Sequence, residues 1–98
     1  MPFLGAKIGY KVIYDGSLPV GSGTPSSGVY GLYILVEKST RGGCALITFS
    51  LSNRVVMSDP LNIVDDYYTL SQGSSSGSLI VTNKDSVPHE TKLIKIGY

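Results

Sequence analysis

The sequence predicts an all-β fold: a small β-sandwich or open barrel of six to seven short, mostly antiparallel strands. Three observations lead there. Apolar residues gather in short runs dominated by Val, Ile, Leu and Tyr, the residue types that suit a pleated surface. Glycine- and serine-rich reversals separate those runs at short intervals. No stretch of about ten residues keeps its apolar positions at the spacing of an amphipathic helix.

Residues 7–14, KIGYKVIY, set Ile8, Tyr10, Val12 and Tyr14 on alternate positions with Lys7, Gly9 and Lys11 between them, the period of two of a half-buried strand. Asp15-Gly16 should end that strand in a tight turn. Pro19, lacking an amide donor, confines Leu18-Pro19-Val20 to an edge or a connection. Residues 21–28, GSGTPSSG, have no large apolar side chain to offset the entropy of ordering and read as a flexible joint. Residues 29–38 and 44–51, VYGLYILVEK and CALITFSL, flank a small turn at 39–43 and form the strongest hairpin in the chain. Their nearly unbroken apolar character predicts strands at the centre of a sheet covered on both faces.

Ser52-Asn53 then permits a two-residue reversal into a short strand at 54–58, ended by Asp59-Pro60. Residues 61–70, LNIVDDYYTL, are ambiguous: Asp65-Asp66 interrupts them, a helical turn at 63–67 is compatible with them, and Tyr67, Tyr68 and Thr69 favour a strand at the far end. A polar tip at 71–77 leads to a strand at 79–82. A closing strand at 91–98 follows, with Leu93, Ile94 and Ile96 flanked by Lys92 and Lys95. Lys7-Ile8-Gly9-Tyr10 recurs verbatim as Lys95-Ile96-Gly97-Tyr98. The echo is either coincidence or a sign that the opening and closing strands occupy equivalent lanes, side by side in one sheet or in successive stacked modules.

The 98 residues suffice for a single domain, with an N-terminal strand segment at 1–20, the joint at 21–28 and a main β module at 29–98. Charged residues are 15% of the chain against roughly 25% in an average soluble domain, so the polar surface is mostly hydroxyl and amide. A net charge of +1, with Lys38, Arg41, Arg54 and Lys84 scattered, offers no basic stripe for nucleic acid. Residues 1–14 lack the basic start and apolar run of an export signal, and no apolar run is long enough to span a membrane. The chain therefore reads as cytoplasmic unless it joins a larger assembly. Cys44 has no second cysteine to pair with, and with His89 as the lone histidine no cysteine-rich or paired-histidine metal site is expected. No cofactor is expected, because the glycines at 21–23 and 28–31 precede no helix whose amides could cradle a phosphate.

No catalytic residue is expected either. His89 beside Glu90 invites a His–carboxylate pair acting on a serine, yet no G-x-S-x-G elbow is present, and His89 reads instead as a solvated group in the loop before the last strand, at most pH-sensitive. Asp59, Asn62, Asp65 and Asp66 form an acidic cluster that reads as a solvated bend rather than a calcium site, since neighbours on a strand point to opposite faces. Seven tyrosines are the suggestive excess, because the ring and hydroxyl together suit contacts with proteins or sugars, although filling the core is the plainer use. Tyr30 and Tyr33 should diverge, and so should Tyr67 and Tyr68, leaving at most one of each pair to the core. Open edges at 54–58 and at 91–98, the latter partly guarded by Lys92 and Lys95, together with the greasy run at 29–36, point to a homo-oligomer.

Residues 28–39, GVYGLYILVEKS, then a glycine turn, CALITFSL, and the closing SLIVTNKDSVPHETKLIKIGY at 78–98 resemble the small β-rich C-terminal modules of bacteriophage tail fibres and related receptor-binding proteins. The likeness spans residues 28–98 as a pattern of hairpin and closing strands and transfers no residue role. It implies a non-enzymatic, trimeric virion module, assembled in a host cytoplasm, that contacts a host-surface glycan or protein. Should a sugar be bound, Asn53, Tyr67, Tyr68, Gln72 and Ser74 are the candidate contacts. The alternative is a structural assembly protein, a capsid-decorating or tail-joining subunit, whose tyrosines serve only contacts between subunits.

Overall fold

The computed structural model describes residues 9–25, 31–49, 54–72 and 79–96. Seven strands and one helical turn follow in chain order: β1 (Tyr10–Leu18), β2 (Gly31–Glu37), β3 (Gly43–Phe49), β4 (Arg54–Ser58), α1 (Ile63–Tyr67), β5 (Tyr68–Gln72), β6 (Leu79–Asn83) and β7 (His89–Ile96). They form a five-stranded sheet ordered β1-β7-β2-β3-β4 and a two-stranded ribbon, β5-β6, every pairing antiparallel. The topology is open, so the all-β expectation holds as two sheets rather than a closed barrel.

The strong hairpin is β2–β3, and β2 is the central strand. Its inner face supplies Tyr33 and Leu35, β3 adds Ala45, Ile47 and Phe49, and β7 adds Leu93. Against them pack Leu79 and Val81 of β6, Ile63, Val64 and Tyr67 of α1, and Tyr68 of β5, all buried. Each large aliphatic group so placed contributes about 1.5–3 kcal/mol of transfer free energy. The expected double-sided cover is corrected: burial alternates along β2 and β3, and Leu32, Ile34, Val36 and Leu46 on the other face are only half-buried. The expectation about tyrosine pairs is corrected as well. Tyr67 and Tyr68 are both buried, because the chain changes from helical turn to strand between them and strict alternation does not apply.

β1 passes through Asp15-Gly16 instead of turning there, because the eight-residue β7 offers a partner all along it, with Asp15 opposite Lys92 and Gly16 opposite Thr91. A bulge between Val12 and Tyr14 changes which face the side chains meet. Tyr10 and Val12 lie opposite Ile96 and Ile94 and are exposed, whereas Tyr14, opposite Leu93, and the inserted Ile13 pack against the core. The opening and closing strands thus lie side by side, one of the two arrangements the KIGY echo suggested.

β7 is an interior strand, which corrects its reading as an open edge guarded by lysines. Its register puts Lys95 opposite Tyr33 on the inner face, where it is 5% exposed, with its stem packed over Gly31. Residues 21–25 are not a free joint. They run beside β6 through Gly21 N–H to Asn83 O, Asn83 N–H to Ser22 O and Thr24 N–H to Val81 O, and Thr24 is buried. The predicted turn at Ser52-Asn53, the remainder of the joint at 26–28, the tip at 73–77 and Tyr30 lie outside the described residues.

The ambiguous segment resolves into α1 and β5. Asp59 sets the helical turn by accepting the amides of Ile63 and Val64, both at 2.9 Å. Among the described residues, no helix is long and apolar enough to cross a membrane.

Candidate functional site

At one end of the sheet, three connecting segments converge on a buried charged cluster. Glu37, the last residue of β2, and His89, the first of β7, have fully buried side chains. Both follow from strand phase: Glu37 continues the inner row of Tyr33 and Leu35, and His89 shares its face with Thr91 and Leu93. Glu37 caps the turn beyond it. Its carboxylate accepts the amides of Ser39, Thr40, Arg41 and Gly42 and the Ser39 hydroxyl. Gly42, at φ 67°, supplies the left-handed residue the turn requires.

The imidazole lies between two acids. Nδ1 is 2.9 Å from Glu37 Oε2, and Nε2 is 2.7 Å from Asp85 Oδ2 in the β6–β7 loop. Asp85 is itself seated by its amide on Asn83 Oδ1, while the Asn83 amide group donates to Leu18 O and Val87 O. The Tyr67 ring covers the imidazole at a centroid distance of 4.2 Å, and the Arg41 guanidinium lies 5.0 Å from the centre of the same ring. Arg41 also pairs with Asp66 at 2.5 Å and donates to Leu61 O. Beneath, the Tyr68 hydroxyl and Thr91 Oγ1 are 2.7 Å apart, and Thr91 donates to His89 O.

Burial favours the neutral form of each of these groups, and the bonds decide otherwise for the acids and the histidine. Burial would raise Glu37, but the Arg41 amide, the Ser39 hydroxyl and His89 outweigh it and hold its carboxyl well below the usual range. Burial would lower His89, but its bonds to Asp85 and Glu37 prevail and raise it. The His89 bond, followed by the Ser86 amide, lowers Asp85. Burial pushes the Tyr68 phenol up to about 12.

His89 is therefore not the solvated loop group expected from its neighbours in sequence. Thr40 Oγ1 lies 3.2 Å from Nδ1, so a hydroxyl, an imidazole and an aspartate do line up. A carboxylate faces each ring nitrogen, and while both nitrogens carry protons toward them the ring has no lone pair with which to take a proton from Thr40. The acidic cluster also has local uses. Asp59 caps α1, and Asp66 binds Arg41 and accepts from Asn62 Nδ2 at 3.3 Å. Asp65 is exposed. Among the described residues, no group of three or more His, Cys, Asp or Glu could hold a metal ion.

The structure describes three of the five candidate sugar contacts. Tyr67 and Tyr68 are used in the core, Gln72 ends β5, and Asn53 and Ser74 lie outside the described residues.

A second feature occupies the outer face of the five-stranded sheet. Cross-strand register places Val12, Ile94, Ile34 and Leu46 in one apolar row spanning four strands. Tyr10, Ile96, Leu32 and Thr48 form the row on one side, and Asp15, Lys92, Val36 and Cys44 the row on the other. Four lanes about 4.8 Å apart and three rows about 6.8 Å apart give the face a footprint of roughly 400 Å², within the range of the largest patch on an ordinary monomer, which is often functional. Its charges stand at the rim, where Lys38 pairs with Asp15 at 2.6 Å.

No family model, curated protein or solved structure matches this chain. The function must be read from these two features and from the sequence.

Proposed function

We propose that this protein is a non-enzymatic β module that works as a homo-oligomer in a virion and contacts a host-surface glycan or protein. The observation that carries the self-association is the apolar row Val12–Ile94–Ile34–Leu46 across the outer face of the sheet. A second copy is the occupant that best suits it. The centre of the face is uncharged, and its rim carries both signs in Asp15, Lys38 and Lys92, so neither an acidic nor a basic partner is selected. The face supplies about half of the ~800 Å² per partner that a stable interface buries. The host-contact role and the three-fold state are supported by the likeness of residues 28–98 to tail-fibre modules. The burial of Tyr67 and Tyr68 favours a second reading, a structural subunit of a capsid or tail whose only contacts are with other subunits.

Light scattering combined with thiol labelling tests the self-association. The expected result is a mass that is a multiple of the protomer, with the free Cys44 on the outer face slow to react until dilution separates the copies. A monomer with a fast-reacting thiol at high concentration would overturn it. A glycan array on the oligomer then separates the two roles, retention supporting host contact and indifference supporting the structural subunit.

A further inference from the structure

We infer that the Glu37–His89–Asp85 cluster is a one-sided proton-operated clasp: loss of the ring proton frees the Asp85 carboxylate and the Ser86 amide it holds, while the turn at residues 38–42 stays folded. The geometry sets the charge state. An ionised carboxylate only accepts hydrogen bonds, and Glu37 must be ionised to accept the four backbone amides aimed at it. With Asp85 on the other nitrogen, taking the Ser86 amide on its Oδ1, both ring nitrogens carry protons and the ring is an imidazolium.

The two carboxylates are anchored unequally, and that gives the device its direction. Glu37 is fully buried and fixed by its own turn, whereas the Asp85 side chain is 28% exposed on a short loop. When the ring loses one proton, one nitrogen presents a lone pair to a carboxylate. The tautomer that keeps Nδ1–H on Glu37 loses least, because Glu37 has no water to turn to. The Asp85 carboxylate then faces the Nε2 lone pair, swings into solvent and gives up the Ser86 amide, while Asn83 keeps its bonds to the Asp85 amide and Val87 O and Lys84 keeps its bond to Tyr67 O.

The remaining groups around the ring do not replace the clasp. Thr40 of the turn and Thr91 of β7 are neutral hydroxyls. Tyr67 of α1 and Tyr68 of β5 present uncharged rings, and Arg41, above Tyr67, is held by Asp66. Acid does not open the clasp in the same range, since the ring proton is already present and both acids resist protonation.

Nitrogen NMR of the His89 ring and amide hydrogen exchange, followed on the full chain as pH rises, test this. Both ring nitrogens should be protonated at pH 6, below the ordinary value from which the ring is raised. As the ring titrates, the amide of Ser86 should exchange about tenfold or more faster than base catalysis alone allows, while those of Thr40 and Arg41 stay protected. In Asp85→Ala the Ser86 amide should exchange fast at every pH, and the ring should titrate lower by about a unit or more. The inference is overturned by a singly protonated ring at pH 6, by a Ser86 amide indifferent to the ring's titration, or by release of both segments together. The wild-type titration decides even if the variant misfolds.

Discussion

Glu37 Oε2 and His89 Nδ1 meet at 2.9 Å across 52 residues of sequence, with neither side chain exposed to water. The contact joins the end of the central strand to the start of its neighbour in the sheet, at the point where the β2–β3 turn and the β6–β7 loop both leave it. Two buried charges so placed need a partner for every remaining lone pair and proton: the amides of residues 39–42 donate to the Glu37 oxygens, and the Asp85 carboxylate accepts at the second ring nitrogen. This end of the protein is therefore held by polar geometry, whereas the middle is held by apolar contact.

Removing one partner from such a pair leaves the other buried and unmatched. Glu37→Gln replaces an oxygen that accepts amides with a group that donates, and it leaves His89 facing it. The expected loss is about 3–5 kcal/mol in urea unfolding, close to the whole stability of a chain this size. Asp59→Ala, which removes the acceptor of two amides of α1 at the partly exposed end of that turn, should cost only about 1 kcal/mol. Equal losses would mean that the cluster has no special weight.

The dependence of stability on pH should have two limbs. His89 is raised in the folded state, so its contribution is complete below its ordinary value of 6.5 and is lost as pH climbs through the higher folded value. Glu37 and Asp85 are lowered, so theirs are complete above the ordinary values of 4.5 and 3.8 and are lost as pH falls through the lowered ones. Thermal unfolding midpoints should form a plateau between about pH 4.5 and 6.5 and decline on both sides. His89→Gln should abolish the alkaline decline caused by the imidazole.

Tyr68 and Thr91 share a buried hydroxyl pair at 2.7 Å. Tyr68→Phe leaves the Thr91 hydroxyl with His89 O as its acceptor, so no donor is stranded and the cost should be about 1 kcal/mol. The wild-type phenol, pushed to about 12 by burial, should be silent in an ultraviolet titration until the fold opens. A tyrosine count that rises in full near pH 10 would contradict its burial.

The strands were legible because their apolar residues alternate or cluster, and the β2–β3 hairpin was plain for that reason. The charged cluster was hidden because His89 was read from its polar neighbours rather than from its strand, and Glu37, near the end of an apolar run, drew no reading of its own. Counting by two from Tyr33 and Leu35 reaches Glu37, and counting back by two from Leu93 reaches Thr91 and His89. The bulge at Val12–Tyr14 was not legible, since an inserted residue leaves the alternation intact in sequence while reversing it in space. The lane at residues 21–25 was equally hidden. It is held by backbone bonds to β6, and composition carries no trace of those.

The outer face gives the last prediction. Ile34 stands at the centre of the apolar row, flanked by Ile94 and Leu46, and it is half-buried within the chain. Because its side chain leaves the sheet on the side away from the core, Ile34→Lys can direct its ammonium to water and should change stability by under about 1 kcal/mol. In a face-to-face contact between copies the same ammonium would be buried without a partner, which costs several kcal/mol and separates the copies. The variant should therefore keep the wild-type circular dichroism and pH profile but sediment as a monomer. Leu35→Lys, one residue along and pointing into the core, should instead fail to fold. If Ile34→Lys sediments as wild type does, the copies meet elsewhere, and β1 and β4, the outermost of the described strands of the sheet, become the surfaces to alter next.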